Sequence, residues 1–231
     1  MNHIGRLDRV VFDAPDIDKL SEFYTTLTGW PIVATEPDVI TLRTPSGHGF
    51  GVHAPDYRAP EWPGQDRPHQ VHLDLDVEDL EEGADRAVAL GAQRIGGGPY
   101  WVTLTDPAGH VVDLCLSRSV APMSRLWVSF DVADSSGAAR FYSVLLGMRI
   151  DHDNEVAADV VAEDGTTVCF QPVPGYQPPR WPDPAFPQQA HLDVRVEDLD
   201  VATERVLAHG ATPLTDRVFA DPAGHPFCLY G

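Results

Sequence analysis

The stretch QVHLDLDVEDL at residues 70–80 returns, lightly edited, as QAHLDVRVEDL at 189–199. In the first copy Val71, Leu73, Leu75 and Val77 alternate with His72, Asp74 and Asp76. A period of two is the pattern of a β-strand with one apolar and one polar face, so the apolar set belongs under helices and the polar set faces a separate space. The aspartate that follows, Asp79, has the side chain of a helix N-cap and opens an acidic first turn. The phrase thus predicts a strand running into a helix, written twice, with His72 and His191 on the polar face.

The duplication extends along the chain. SEFYTTLTG at 21–29 matches ARFYSVLLG at 139–147, and EWP at 61–63 matches RWP at 180–182. His72 and His191 lie 119 residues apart, as do Gly91 and Gly210, and DPAGH stands verbatim at 106–110 and 221–225. So many collinear matches divide the chain into homologous halves, 1–118 and 126–231, joined by a short linker at 119–125. Each half reads as a strand, a helix and three strands, twice over. LDRVVFDA alternates; Asp16 caps a helix that stops at Gly29; strands follow near 32–35, 39–43 and 49–54. A Pro-rich crossing segment then leads to the strand at 70–77, a helix from Asp79 to Leu90, and strands near 93–95, 100–105 and 111–116, with DPAG as the last tight turn.

Bulk properties narrow the function. The formal charge of −19 over 231 residues would repel nucleic acid and anionic membranes, and favours neutral or cationic small molecules. No apolar run is long enough to span a bilayer, and MNHIGRLDR lacks the apolar core of a signal peptide, so the expectation is a cytoplasmic protein. Cys115, Cys169 and Cys228 form no close pair and read as small buried thiols, outside any disulfide or zinc-finger framework. SGHGFG and IGGG precede no helix and form no phosphate cradle, and no nucleophile-elbow signature occurs.

The order of elements, with FY…LG closing the first helix, YRAPEWPGQDRPHQVHLDLDVEDL and YQPPRWPDPAFPQQAHLDVRVEDL in the middle and DPAGH before the last strand, resembles the vicinal oxygen chelate superfamily. That group contains glyoxalase I, bleomycin-resistance proteins, fosfomycin-resistance enzymes and extradiol dioxygenases. The resemblance covers nearly the whole chain, twice. It implies an α+β protein of two glyoxalase-like domains, each a pair of βαβββ modules with a cupped mixed sheet, packed as a monomeric pseudo-dimer or assembled as a homodimer. It further implies a cup in which His, Glu or Gln ligands from first and last strands hold a divalent metal (Mn, Ni, Fe or Zn) that chelates adjacent oxygens of a small molecule.

Alternation assigns the polar residues of the first half to one cup: Arg9, Asp13, His72, Asp74, Asp76 and Asp113. Measured against the superfamily pattern, Arg9 and Trp127 stand where a first-strand histidine is common. Asp113 and Cys228 stand where a last-strand glutamate is common. His72 and His191 survive, with His53 and Gln171 near the remaining ligand positions. Arginine cannot ligate a metal. The candidate metal set is therefore His72, Asp113 and His53; the catalytic candidates are His72, Asp113, Arg9 and Asp74; and the ligand-binding candidates are Arg9, Asp13, Asp76, Trp127, His191 and Trp62. Arg9 reads either as an ion-pair partner of Asp74, Asp113 or Asp13 or as a clamp for a substrate anion. Asp74 and Asp76 read as solvated acids or a proton-sharing pair, and Trp62 and Trp181 as packing plugs or stacking platforms. Two functions follow: a metal-free small-molecule binder of the bleomycin-resistance type, which the broken ligand set favours, and a metal-dependent lyase, isomerase or dioxygenase built on His72 and Asp113.

Overall fold

A computed structural model describes residues 3–53, 57–61 and 67–231. The first module comprises β1 (Arg6–Asp13), α1 (Ile17–Thr28), β2 (Ile32–Thr35), β3 (Val39–Arg43) and β4 (Gly49–His53). The second comprises β5 (Val71–Val77), α2 (Leu80–Ala89), β6 (Gln93–Gly97), β7 (Trp101–Thr105) and β8 (Val111–Leu116). The third comprises β9 (Trp127–Val132), α3 (Ser135–Leu146), β10 (Arg149–Asp153), β11 (Ala158–Val161) and β12 (Thr167–Pro172). The fourth comprises β13 (Ala190–Arg195), α4 (Leu199–Ala208), β14 (Thr212–Pro213), β15 (Val218–Ala220) and β16 (Pro226–Tyr230).

The helix boundaries follow from local chemistry. The Asp16 carboxylate accepts from the Lys19 N–H at 2.9 Å, and Asp79 accepts from the Glu81 and Glu82 N–H groups at 3.0 Å. Gly29 ends α1 in the left-handed region at φ 78°, where a side chain would be strained. Val10 and Phe12 of β1, and Leu73 and Leu75 of β5, are buried with the helices in one apolar core.

Two eight-stranded mixed sheets result, ordered β14-β15-β16-β13-β1-β4-β3-β2 and β10-β11-β12-β9-β5-β8-β7-β6. Each sheet combines two modules, but one from each half: the first pairs with the fourth, and the second with the third. β1 runs antiparallel to β13, with Arg9 opposite Asp193 and Val11 opposite His191. β5 runs antiparallel to β9, with His72 opposite Ser129. This corrects the grouping of Arg9 and Asp13 with His72, Asp74, Asp76 and Asp113 in a single cup. Alternation states which face of a strand is polar; it does not state which module joins its free edge.

The repeated motifs hold each half together where the sheets do not. Tyr24 Oη of α1 donates to Asp106 Oδ2 at 2.9 Å, and Asp106 Oδ1 accepts from the Ala108 and His110 N–H groups at 2.8 and 3.0 Å. The buried His110 Nε2 lies 2.7 Å from the Asp13 carbonyl oxygen, and His225 Nε2 lies 2.7 Å from that of Asp131. A carbonyl only accepts, so Nε2 carries the proton in both rings. Each DPAGH turn is therefore a latch onto the end of its own half's first strand. The linker is packed as well: Trp30 Nε1 donates to the Met123 carbonyl at 2.7 Å.

Candidate metal centre

Strand β5 places His72, Asp74 and Asp76 on the cup face, and all seven of its residues are buried. β8 lies parallel beside it with Asp113 next to Asp74 and Cys115 next to Asp76. β9 contributes Ser129 opposite His72, and the same alternation puts Trp127 and Asp131 on Ser129's face. β7 adds Thr103 opposite Asp113 and the exposed Trp101 opposite Cys115.

The charges of this cup are unequally matched. Asp76 is fully engaged: Arg125 donates from Nε to Oδ2 at 2.7 Å and from Nη2 to Oδ1 at 3.1 Å, and its guanidinium lies 4.5 Å from the Trp127 ring centroid. Asp74 accepts from Ser129 Oγ at 2.5 Å and from Cys115 Sγ at 3.4 Å, neither of them charged donors. Burial pushes the Asp74 carboxyl above its ordinary range, and the Asp113 charge pushes the same way against His72 and Ser129. Burial raises Asp131 to about 6 and lowers His69 to about 3, so His69 is neutral near pH 7.

At the centre stands His72. Its Nε2 is buried without a hydrogen-bond partner, 3.7 Å from Asp74 Oδ2 and 4.0 Å from Asp113 Oδ2. Asp113 Oδ1 is also buried and unpartnered. On the other side of the ring, Nδ1 lies 3.4 Å from His69 Nε2, which is 3.6 Å from Asp131 Oδ2. Two groups of donors thus share His72: His72 with Asp74 and Asp113, and His72 with His69 and Asp131, the donor atoms of each lying within 4.8 Å of one another. An orphaned imidazole nitrogen between a buried and a half-buried carboxylate suits a borderline divalent cation such as Mn, Fe, Ni or Zn. The residues fit a metal.

The other cup differs. Arg9 Nε donates to Asp193 Oδ2 at 2.5 Å and Nη1 to Thr41 Oγ1 at 3.1 Å. His191 Nε2 lies 3.4 Å from Asp193 Oδ1. Burial alone would raise the Asp193 carboxyl, but His191 and Arg9 outweigh it and hold it below its ordinary value. The guanidinium occupies the charge-compensating role that a cation would take. His53 sits in this sheet, not beside His72; its Nδ1 is 3.1 Å from Asp13 Oδ1, while Asp13 Oδ2 is buried and unpartnered. The ion-pair reading of Arg9 thus has a different partner from those expected, supplied by the fourth module. Trp127 and Cys228, which stand at the second half's first-strand and last-strand ligand positions, fall in different sheets. Trp62 lies outside the described residues.

His69, Ser129 and Asp131 belong to the His72 cup and escaped the sequence reading. Asp131 had a visible signal, because it shares alternation with Trp127. His69, three residues before His72, lies in the crossing segment, where no periodicity assigns a direction.

Paired βαβββ modules closing two cupped sheets define a class of fold, and comparisons with known proteins give the family. A glyoxalase-like domain model matches residues 9–115 and again 127–230, and the chain belongs to that family. Glyoxalase I of Zea mays aligns with a TM-score of 0.65 at 16% identity, covering 97% of this chain and 91% of that one. A variant of the same enzyme aligns with a TM-score of 0.70 at 16% identity, covering 97% and 92%. A Bacillus subtilis protein proposed to be a dioxygenase aligns with a TM-score of 0.62 at 11% identity, covering 99% and 86%. No curated protein sequence matches. The single chain holds a tandem pseudo-dimer, and among the described residues no helix is long and apolar enough to cross a membrane.

Proposed function

We propose that this chain is a divalent-metal-dependent member of the family that acts on a small oxygenated compound in the His72 cup, while the Arg9 cup serves as structure. The observation that carries this reading is the buried, unpartnered Nε2 of His72 set between Asp74 and Asp113, neither of which pairs with an arginine or lysine among the described residues. His72 and Asp113, on adjacent parallel strands, would hold the metal, with Asp74 completing the donor set. When bound, the metal supplies Lewis-acid polarisation of a ligand oxygen.

The chain's own groups have separable roles. Ser129 and Cys115 hold the Asp74 carboxylate in place. Arg125 removes Asp76 from the charge balance, leaving Asp74, Asp113 and Asp131 facing the cup. Trp127 and Trp101 give the cup aromatic walls suited to a planar ligand.

The test is a titration of chelator-treated protein with Mn, Ni, Fe or Zn, followed by calorimetry and elemental analysis. One metal per chain is expected, retained in Arg9→Ala and lost in His72→Ala. Absence of metal at any concentration, with a cationic aromatic compound binding equally before and after chelation, would establish the metal-free binder instead. That second reading draws on the same three carboxylates, which attract an organic cation as well as a metal.

A further inference from the structure

Where the two crossing segments meet, they enclose a cavity of about 110 Å³. Its described walls include Arg58 and Arg67 from the first segment and Arg180, Trp181 and Phe186 from the second, with Gln189 between them. None of the described lining residues is acidic. In a chain with 35 acidic and only 16 basic residues, three arginines around one void whose described lining carries no carboxylate is a local reversal of the protein's charge. Arg67 is paired through Nη2 with Glu61, but its Nε is buried without a partner. Arg58 and Arg180 make no ion pair among the described residues; the Arg180 guanidinium lies over the Phe186 ring, 3.0 Å from its centroid.

The walls have a fixed spacing. Gln189 Nε2 donates to the Pro68 carbonyl at 2.9 Å, and Gln189 Oε1 accepts from the Gln70 N–H at 3.2 Å, so one side chain ties the two segments together. The prolines of both segments stiffen them further, which lowers the ordering cost of binding. Guanidinium forks match a carboxylate in geometry and charge, and the Trp181 ring lines the same cavity. A void of this volume exceeds one water site of about 10–15 Å³ several-fold, enough for a small organic molecule.

We propose that this cavity is a binding site for a small planar carboxylate, an aromatic or heteroaromatic monoacid, separate from the His72 cup. The site needs no metal and lies on different residues, so its failure and the failure of the metal reading are distinguishable.

Benzoate is the probe, with benzamide as its neutral isostere and inorganic phosphate as a ring-free anion, each followed by calorimetry and by Trp fluorescence. Saturable one-to-one binding of benzoate is expected, at least about tenfold tighter than benzamide or phosphate. The Arg58→Gln/Arg180→Gln double variant should lose about tenfold or more of that affinity. Both arginines are exposed, and circular dichroism and melting temperature check that the variant folds. Binding should persist in His72→Ala and after chelation. Benzamide binding as tightly as benzoate, phosphate matching it, affinity unchanged in the double variant, or loss of binding in His72→Ala would each overturn the proposal.

Discussion

Arg9 and Asp193 lie 184 residues apart in sequence and 2.5 Å apart in space, joined across the seam between β1 and β13. The pair couples the first module to the fourth and neutralises a buried carboxylate. Replacing Arg9 with Ala leaves Asp193 with His191 and no permanent cation, which should destabilise the fold by about 2 kcal/mol, because an uncompensated buried charge costs more than the pair contributes. Adding Asp193→Asn should recover most of that loss. Urea unfolding of the single and double variants measures both; a neutral Arg9→Ala would show that the pair carries no charge-compensating role.

The His72 cup predicts opposite signs for stability and affinity. Asp113 adds its charge to the burial that already raises the Asp74 carboxyl. In metal-free protein, Asp113→Asn should therefore stabilise the fold by about 0.5–1 kcal/mol, by relieving like-charge repulsion. The same change should weaken metal binding by at least about tenfold, through loss of an anionic donor. Thermal unfolding with and without metal reads both quantities, and a variant that loses stability in the metal-free state contradicts the repulsion.

How far the sequence carried this picture depends on the range of the interaction. Asp16, Asp79 and Gly29 act within one turn, and the helices start and stop where those residues predict. Alternation in 71–77 places His72, Asp74 and Asp76 on one face because the pleat is local. The pairing of the modules is not local: both β1 and β5 have a free edge that any of the homologous first strands would fit, so nothing in their own sequence reveals that Arg9 meets Asp193 or that His72 meets Ser129. The separation of His53 from His72 follows from that choice alone.

His53 provides a pH-dependent contribution whose sign is determined. Its hydrogen bond with Asp13 raises its pKa above the ordinary value of 6.5, against the opposing effect of burial. The folded state therefore holds the proton more tightly than the unfolded chain. The stabilisation is complete below about pH 6.5 and is lost as pH rises through the elevated folded value. The ring is about one-third exposed, at 34%, and screening keeps the contribution below about 1 kcal/mol. His53→Gln should lose stability at pH 6 and match the parent at pH 9 in paired urea titrations; an equal loss at both pH values would remove the ionic part of the pair.

The three thiols should resist alkylation in the native state. Burial is the leading cause in each, raising Cys228 to about 11 and Cys169 to about 12, with Cys115 pushed up further beside Asp74 and Asp113. At pH 8 the thiolate, which is the reactive form, is scarce at all three. Native protein should react slowly with iodoacetamide, Cys228 first, while denatured protein should show three reactive thiols. Rapid native labelling of Cys115 would contradict its burial beside two carboxylates.

The DPAGH turns make a final, internally controlled prediction. Gly109 and Gly224 occupy the left-handed region at φ 93° and 99°, so any side chain there is strained. They differ in what an added Cβ would meet: at Gly109 it would lie 2.8 Å from the Ala59 Cβ, and at Gly224 it would lie 3.0 Å from the Pro178 Cβ. Gly47, at φ 95°, has open space around the same position. Gly47→Ala should thus cost about 1 kcal/mol from backbone strain alone. Gly109→Ala should cost about 1–3 kcal/mol more, because the crossing segment must shift away from the turn. Gly224→Ala should fall between them. The order Gly109, Gly224, Gly47 in urea unfolding would establish that each crossing segment is seated on the turn of its own half, and equal losses at all three would leave backbone strain as the whole effect.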